Sequence, residues 1–359
     1  MARVALVVHA GGRHVPSYLE AIRDIPTITD AVIVDADGSV FDQAKEVIGE
    51  KLHETYQSLD EMLQSHHPAM AIVTASGRQS PPLIRPVLDA GIHVVAEKPA
   101  CFDPNDFAAL TDLADKRQVH LMLALSNRLA PWVEDARRIQ QQRGIGDLYA
   151  VRGMTLADQT RIWDPKRRDW SFSKSEAGGG HLIWLGIHWL DLILYLTGDA
   201  VTEVQAMTPV VGGSSIDVED LALVNFRMAS GAHGSLVSGY LLDQWYQIDM
   251  TLWGAEGWLR FGATDDAFPA NQDKSAHALT DQAELEWHST VPEVVIGSPP
   301  TRRLTYNNSG GGYTPFIRES LRAALGEVPP PITGAEGLAV LRVIFAAYES
   351  ARTGQNITL

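Results

Sequence analysis

Five short runs in the first 125 residues are apolar almost throughout, and they limit the available folds more than any other feature of the chain. They are Val4–Val8, Ala31–Val34, Ala69–Val73, Ile92–Ala96 and Val119–Leu123. A strand with one wet face alternates apolar and polar residues. These runs do not alternate, so both of their faces are covered. Helical stretches separate them, through Tyr18, Leu19 and Ile22, over Phe41–Ile48, and from Pro82 to Ala90, where Gly91 stops the helix. Repeated strand–helix–strand units with right-handed crossovers make a doubly wound parallel sheet. Ligands of such sheets bind outside the carboxyl ends of the strands. The loops at 9–14, 35–38, 74–80 and 97–100 are therefore expected around one crevice.

The pattern changes after about residue 145. Tyr149–Met154 reads as extended, Gly180–Leu196 as one strongly apolar helix, and Val201–Met207, Leu221–Arg227, Gly234–Gly239, Ile248–Trp253 and Gly257–Phe261 as strands without intervening helices. That half is expected to be α+β with a large, mostly antiparallel open sheet. Two helices close the chain, Pro315–Ala324 and Gly334–Ala351, and the polar stretch 263–312 is expected to carry long loops. The fold class is thus α/β, with a Rossmann-type domain over 1–125 and an α+β domain over 126–359 whose last helix can pack back on the first. All nine Trp lie at or after Trp132, so the aromatic surface belongs to the second domain.

Composition narrows the function classes. With 29 Lys and Arg against 44 Asp and Glu the net charge is −15, which disfavours nucleic acid and anionic membranes as partners. The single Cys101 excludes an intrachain disulfide and a cysteine-rich metal framework. No apolar run approaches the ~20 residues of a membrane span. Val4–Val8 lacks a secretory cleavage pattern and reads as a strand, so a cytoplasmic enzyme is expected.

A dinucleotide loop of the form G-x-G-x-x-G would place glycine where this chain has His9, Gly11 and His14, so one position of three matches. Three readings stay open: a degenerate loop, a shortened loop served by Gly11 and Gly12 alone, or a plain strand-to-helix turn. Arg13 completes the segment, and Ala75 and Ser76 line the loop after the third strand. Asp35 ends the second strand at the offset where a carboxylate holds the adenosine ribose hydroxyls. No Arg follows to hold a 2′-phosphate, so NAD is expected over NADP.

Two further segments carry chemistry. Glu97-Lys98-Pro99 closes a buried strand at the crevice, where a Lys can be desolvated and bond a substrate hydroxyl, or can simply snorkel outward. In Gly178–Asp191, at ~100° per residue, His181, Trp184, His188 and Asp191 fall on roughly one quarter of a helix circumference. That arc reads as facing a site. Core histidines bonded to backbone, or a metal site, are the alternatives, and no metal is expected.

Glu97-Lys98-Pro99, the Gly178–Gly180 run, Gly186-x-His188-x-x-Asp191 and the closing Ala347–Gly354 segment together resemble the Gfo/Idh/MocA family, that of glucose–fructose oxidoreductase and inositol dehydrogenase. The resemblance implies an NAD(P)-dependent enzyme acting on sugars, cyclitols or related polyols. It implies homodimers or homotetramers built through the C-terminal sheet. It implies Lys98 and His188 as catalytic residues, Asp191 as a substrate-side carboxylate, and Asn127 and Arg128 beside the nicotinamide. The chain departs from inositol-dehydrogenase-like members at Trp184, where they carry Asp, and this suits an apolar face that stacks on a sugar ring. Arg161, Trp163, Lys166, Arg168, Trp170 and Tyr240 are candidate pocket walls. The expected reaction is oxidation of a secondary alcohol by hydride transfer to NAD. Redox-neutral glycoside cleavage or epimerisation through a transient keto sugar is one alternative, and a non-catalytic sugar sensor is another.

Overall fold

The computed structural model describes residues 2–10, 12–162, 170–212, 216–243, 246–263, 282–291, 301–307 and 312–359. It divides into two compact units, Met1–Ser126 with Gly312–Leu338, and Asn127–Gly311 with Ala339–Leu359.

In the first unit β1 (Ala2–Val8), β2 (Ile28–Asp35), β3 (Leu52–Tyr56), β4 (Met70–Thr74), β5 (His93–Ala96) and β6 (Leu121–Leu123) form one sheet. The strand order is β3-β2-β1-β4-β5-β6 and every pair is parallel. Val4, Ala5, Leu6, Ile33 and Ile72 are wholly buried, as strands covered on both faces require. The order reverses between β1 and β4, the switch point at which a doubly wound sheet opens a crevice. β3 was not expected. Its sequence, Leu-His-Glu-Thr-Tyr, is polar because it is an edge strand with exposed residues, and it carries no apolar signal.

In the second unit nine strands form one sheet. They are β7 (Leu148–Asp158), β8 (Val201–Met207), β9 (Leu221–Met228), β10 (His233–Leu242), β11 (Gln247–Gly254), β12 (Gly257–Ala263), β13 (Gln282–Ser289), β14 (Thr301–Asn307) and β15 (Ile357–Thr358). The order is β14-β13-β12-β11-β7-β10-β9-β8-β15. Only β10 and β7 pair in parallel; the remaining neighbours are antiparallel. Buried and open residues alternate along β9, so one face is covered and the other is not. The helix Ile187–Thr197 packs on the covered face, where Gly153 of β7 leaves room for Ile193.

Two differences from the sequence reading concern long-range packing. The stretch 263–312, expected as loops, contributes β13 and β14, whose charged outer residues mask the strand period. Residues 312–338, counted with the second domain in the expected division at 125/126, belong to the first unit. The helix Tyr313–Ala324 buries Phe316, Ile317 and Leu321 there and packs on the helix Val15–Asp24. The helical stretch Lys174–Thr197 is long and apolar enough to cross a membrane by length and composition, but 78% of its most apolar window is buried inside the protein.

Candidate active site

The described candidates of the first unit lie at carboxyl strand ends. After β1 the His9 amide donates to the Thr74 carbonyl (3.0 Å), the Gly12 amide to the His9 carbonyl (2.8 Å), and the Arg13 amide to Thr74 Oγ1 (2.9 Å). A Cβ on Gly12 would stand 2.6 Å from the Thr74 carbonyl oxygen, so this glycine is required by close approach of the loop to β4. Gly11 lies outside the described residues. His14 adopts φ 59°, a left-handed turn that costs a non-glycine residue about 1–3 kcal/mol. Its ring is held in place: Nδ1 lies 2.8 Å from the Tyr313 hydroxyl and 3.3 Å from Glu97 Oε1, and the ring packs on that of Tyr313.

Asp35, the last residue of β2, is buried. Its Oδ2 accepts from Ser39 Oγ (2.9 Å) and the Val40 amide (3.0 Å), and its Oδ1 from the Asp37 amide (3.4 Å), which folds the following loop around the carboxylate. Ala75 and Ser76 follow β4, and the Ser76 carbonyl accepts from the Gln79 and Ser80 amides at the entry to the helix Ser80–Asp89.

Glu97 and Lys98 follow β5 directly and are almost wholly buried. Burial opposes charge on Glu97, yet His14, Lys98 and a short hydrogen bond from the Tyr18 hydroxyl hold its pKa below the usual carboxylate value. Burial pushes the Lys98 ammonium down to about 8. Glu97 acts to raise it again and Arg13 to lower it. A lysine so placed exchanges its proton near neutral pH while remaining a hydrogen-bond donor. The Lys98–Pro99 peptide is cis.

In the second unit the predicted helix opens with a π-helical turn, Leu182–Gly186, before the α-helix Ile187–Thr197. An i→i+5 turn advances less per residue than an α-helix, so these residues do not follow a single 100° wheel through the segment. The four side chains have different surroundings. His181 is wholly buried, its Nδ1 2.6 Å from Ser238 Oγ and its ring edge-on to Tyr240. Trp184 is 7% exposed and lies edge-on to Trp170, ring centres 5.3 Å apart. His188 is half-buried. Asp191 is wholly buried and accepts from Arg128 Nε (3.0 Å) and Nη2 (2.6 Å), and Arg128 packs on the Tyr195 ring. Arg128 is 2% exposed and ion-paired with Asp191. Removing either partner strands a buried charge, at about 3–5 kcal/mol. Asn127 is half-buried and Arg161 is exposed, while Trp163, Lys166 and Arg168 lie outside the described residues.

Sequence reasoning missed Glu219 and Tyr348, which explain the glycine run. Glu219 accepts from the Gly180 amide (2.7 Å), the Leu182 amide (3.0 Å) and the Tyr348 hydroxyl (2.8 Å). Burial raises its pKa, while these donors act to lower it. A Cβ on Gly180 would stand 1.9 Å from the Glu219 carbonyl oxygen, and one on Gly179 2.2 Å from the Tyr348 hydroxyl. A lone Glu in a loop has no periodic signal that could have announced this.

The parallel sheet with its switch point, the loop pressed on β4 and the buried strand-end lysine define a dinucleotide-binding α/β protein. Residues 6–125 match the model of an oxidoreductase family with an NAD-binding Rossmann fold, and residues 133–260 match the C-terminal domain of the same Gfo/Idh/MocA family. The chain belongs to the Gfo/Idh/MocA family, and its first unit is an NAD-binding Rossmann domain.

Among curated relatives it is 32% identical over 171 residues to levoglucosan dehydrogenase of Pseudarthrobacter phenanthrenivorans, covering 41% of this chain and 43% of that protein. It is 32% identical over 122 residues to D-glucoside 3-dehydrogenase of Escherichia coli, covering 33% of each. The matches thus span less than half of either relative. Among solved structures, the WlbA dehydrogenase of Chromobacterium violaceum in complex with NADH and UDP-GlcNAcA superposes with a TM-score of 0.81 at 25% identity, covering 99% of this chain and 95% of that one.

The residues present fit a dinucleotide. Gly12 lets the loop after β1 press on β4 at the switch point, and Asp35 supplies a carboxylate at the end of β2.

Proposed function

We propose that this protein is an NAD-dependent dehydrogenase that oxidises a secondary alcohol of a sugar, sugar derivative or cyclitol. The observation that carries the reading is Lys98, desolvated at the end of β5 on the dinucleotide face of the sheet, with its pKa lowered to about 8. The sugar class is supported by the relatives, whose names include a levoglucosan and a glucoside dehydrogenase.

NAD, when bound, supplies a hydride acceptor, and His9, Gly12, Arg13, His14, Asp35, Ala75 and Ser76 would hold it. Lys98 donates a hydrogen bond to the reacting oxygen and stabilises the negative charge that develops on it. His188 takes the hydroxyl proton as general base. Trp184 and Trp170 offer apolar ring surface suited to the C–H face of a sugar. Arg128 and Asp191 act through each other: their ion pair braces the helix that carries His188. The uncovered face of the nine-stranded sheet, with Leu223 and Trp253 exposed, is where a second copy of the chain would dock.

The purified protein is denatured and its supernatant examined for released NAD(H), and the native protein is then screened against a sugar and cyclitol panel for absorbance of NADH. Bound NAD(H) and turnover on at least one sugar are expected. An NAD-free protein that reduces no NAD on any panel member overturns the reading. His188→Asn and Lys98→Met should each lower kcat by about 100-fold with the melting point retained, and near-full turnover in either removes that residue from its role. Asp35 opposes a 2′-phosphate, so NAD should bind about 5- to 150-fold tighter than NADP. Equal affinities overturn that preference.

A further inference from the structure

The position where a dinucleotide loop ordinarily carries its third glycine is held here by His14, in the left-handed turn that glycine favours. The ring is fastened on two sides within the first unit. The Tyr313 hydroxyl stands 2.8 Å from Nδ1 and Glu97 Oε1 3.3 Å from the same atom, with the His14 and Tyr313 ring centres 4.9 Å apart. Tyr313 lies 299 residues further along the chain, at the start of a helix that packs against the helix opened by His14. Its ring also meets that of Tyr18 edge-on, and its hydroxyl lies 3.4 Å from Glu97 Oε2, the atom that also accepts from Tyr18. Glu97 is next to Lys98. Two phenols, one imidazole and one carboxylate thus tie the loop after β1 to the end of β5.

We infer that His14 and Tyr313 are positioning residues for the dinucleotide: the clamped imidazole holds the loop in its left-handed turn, and the helix beginning at Tyr313 closes the clamp. A glycine reaches the turn by freedom of its backbone. This chain reaches it by side-chain contact, so its affinity for the cofactor depends on a ring pair that a glycine loop lacks. The inference rests on the NAD-binding reading of the first unit. It also predicts that relaxing the backbone at position 14 weakens binding instead of improving it.

The test is calorimetric titration of NADH and of AMP into the full-length protein and three variants, Tyr313→Phe, His14→Gly and the double substitution. The wild type binding NADH is the first expected result, and a folded wild type that binds none overturns the cofactor reading and the clamp together. With that in hand, His14→Gly should weaken NADH about tenfold and Tyr313→Phe about three- to tenfold, each comparable to the loss of a hydrogen bond. The double variant should be within about twofold of His14→Gly, because both substitutions break one interaction. AMP lacks the diphosphate that this loop would face, so its affinity should stay within about twofold of wild type in every variant. NADH affinity unchanged in either single variant, or a loss for AMP as large as that for NADH, overturns the clamp and leaves the cofactor reading standing. Where His14→Gly fails to fold, Tyr313→Phe, which keeps every ring in place, decides the matter alone.

Discussion

The two segments in which glycines matter most have opposite designs. In Gly178–Gly180 each glycine meets a separate demand. Gly178 takes φ 76° at a helix end, Gly179 lies under the Tyr348 hydroxyl, and Gly180 lies under the Glu219 carbonyl. In the loop after β1 a glycine is required only at Gly12 among the described residues, and the left-handed turn falls to His14, whose ring contacts offset its strain. The difference shows that glycine is irreplaceable where backbone meets backbone, because the Glu219 and Thr74 carbonyls are held by their own hydrogen bonds and cannot step aside. A turn that needs only an unusual φ can be held by a side chain with partners.

Gly180→Ala puts that contrast under the greatest strain. Its new methyl would lie on a buried carbonyl, so we expect about 3 kcal/mol or more of destabilisation. Scanning calorimetry should show the transition of the second unit lowered by about 10 °C. An unshifted transition would mean that the glycine run is no steric requirement. Gly12→Ala sharpens the same point in the first unit. Its overlap with the Thr74 carbonyl is smaller, 2.6 Å against 1.9 Å, and a melting point lower by a few degrees, for about 1–2 kcal/mol, should accompany weaker NADH binding. A Gly12→Ala variant less stable than Gly180→Ala would reverse the ranking.

The smallest effect concerns charge. Lys98 acts as a charged donor, so kcat/KM should fall as pH rises through about 8, where the buried ammonium deprotonates. Glu97 acts to raise that pKa while burial and Arg13 lower it. Glu97→Gln removes the raising influence, and the alkaline limb should therefore move to lower pH. A limb that stays in place, or moves up, shows that Glu97 does not set the charge on Lys98.

The strand-end lysine, the acid closing β2 and the unusual residues of the first loop were all legible because they sit at the ends of apolar runs. A run of five or so apolar residues marks both a parallel strand and its carboxyl end. The helix of the second unit was legible as buried but not in its facing. The π-helical turn at Leu182–Gly186 departs from the α-helical wheel, and the bond from Arg128 to Asp191 joins residues that no local pattern pairs. β3 and β14 carry the polar residues of edge strands, and β13, which lies between β14 and β12, interleaves charged residues with its apolar ones, so none of the three shows an apolar run.

What the sequence by itself determined is local: strand and helix alternation, a buried parallel sheet, a lysine at its edge and a glycine run before an apolar helix. Periodicity and run length act over a few residues and do not depend on what arrives from elsewhere. Only the tertiary structure decided that Tyr313 lies against His14, that Glu219 and Tyr348 fill the space above the glycines, and that Arg128 takes Asp191. These partners lie 299, 39 to 129, and 63 residues apart. No local pattern records which buried polar group will meet which, because that pairing is chosen by the need to satisfy each of them once the core has closed.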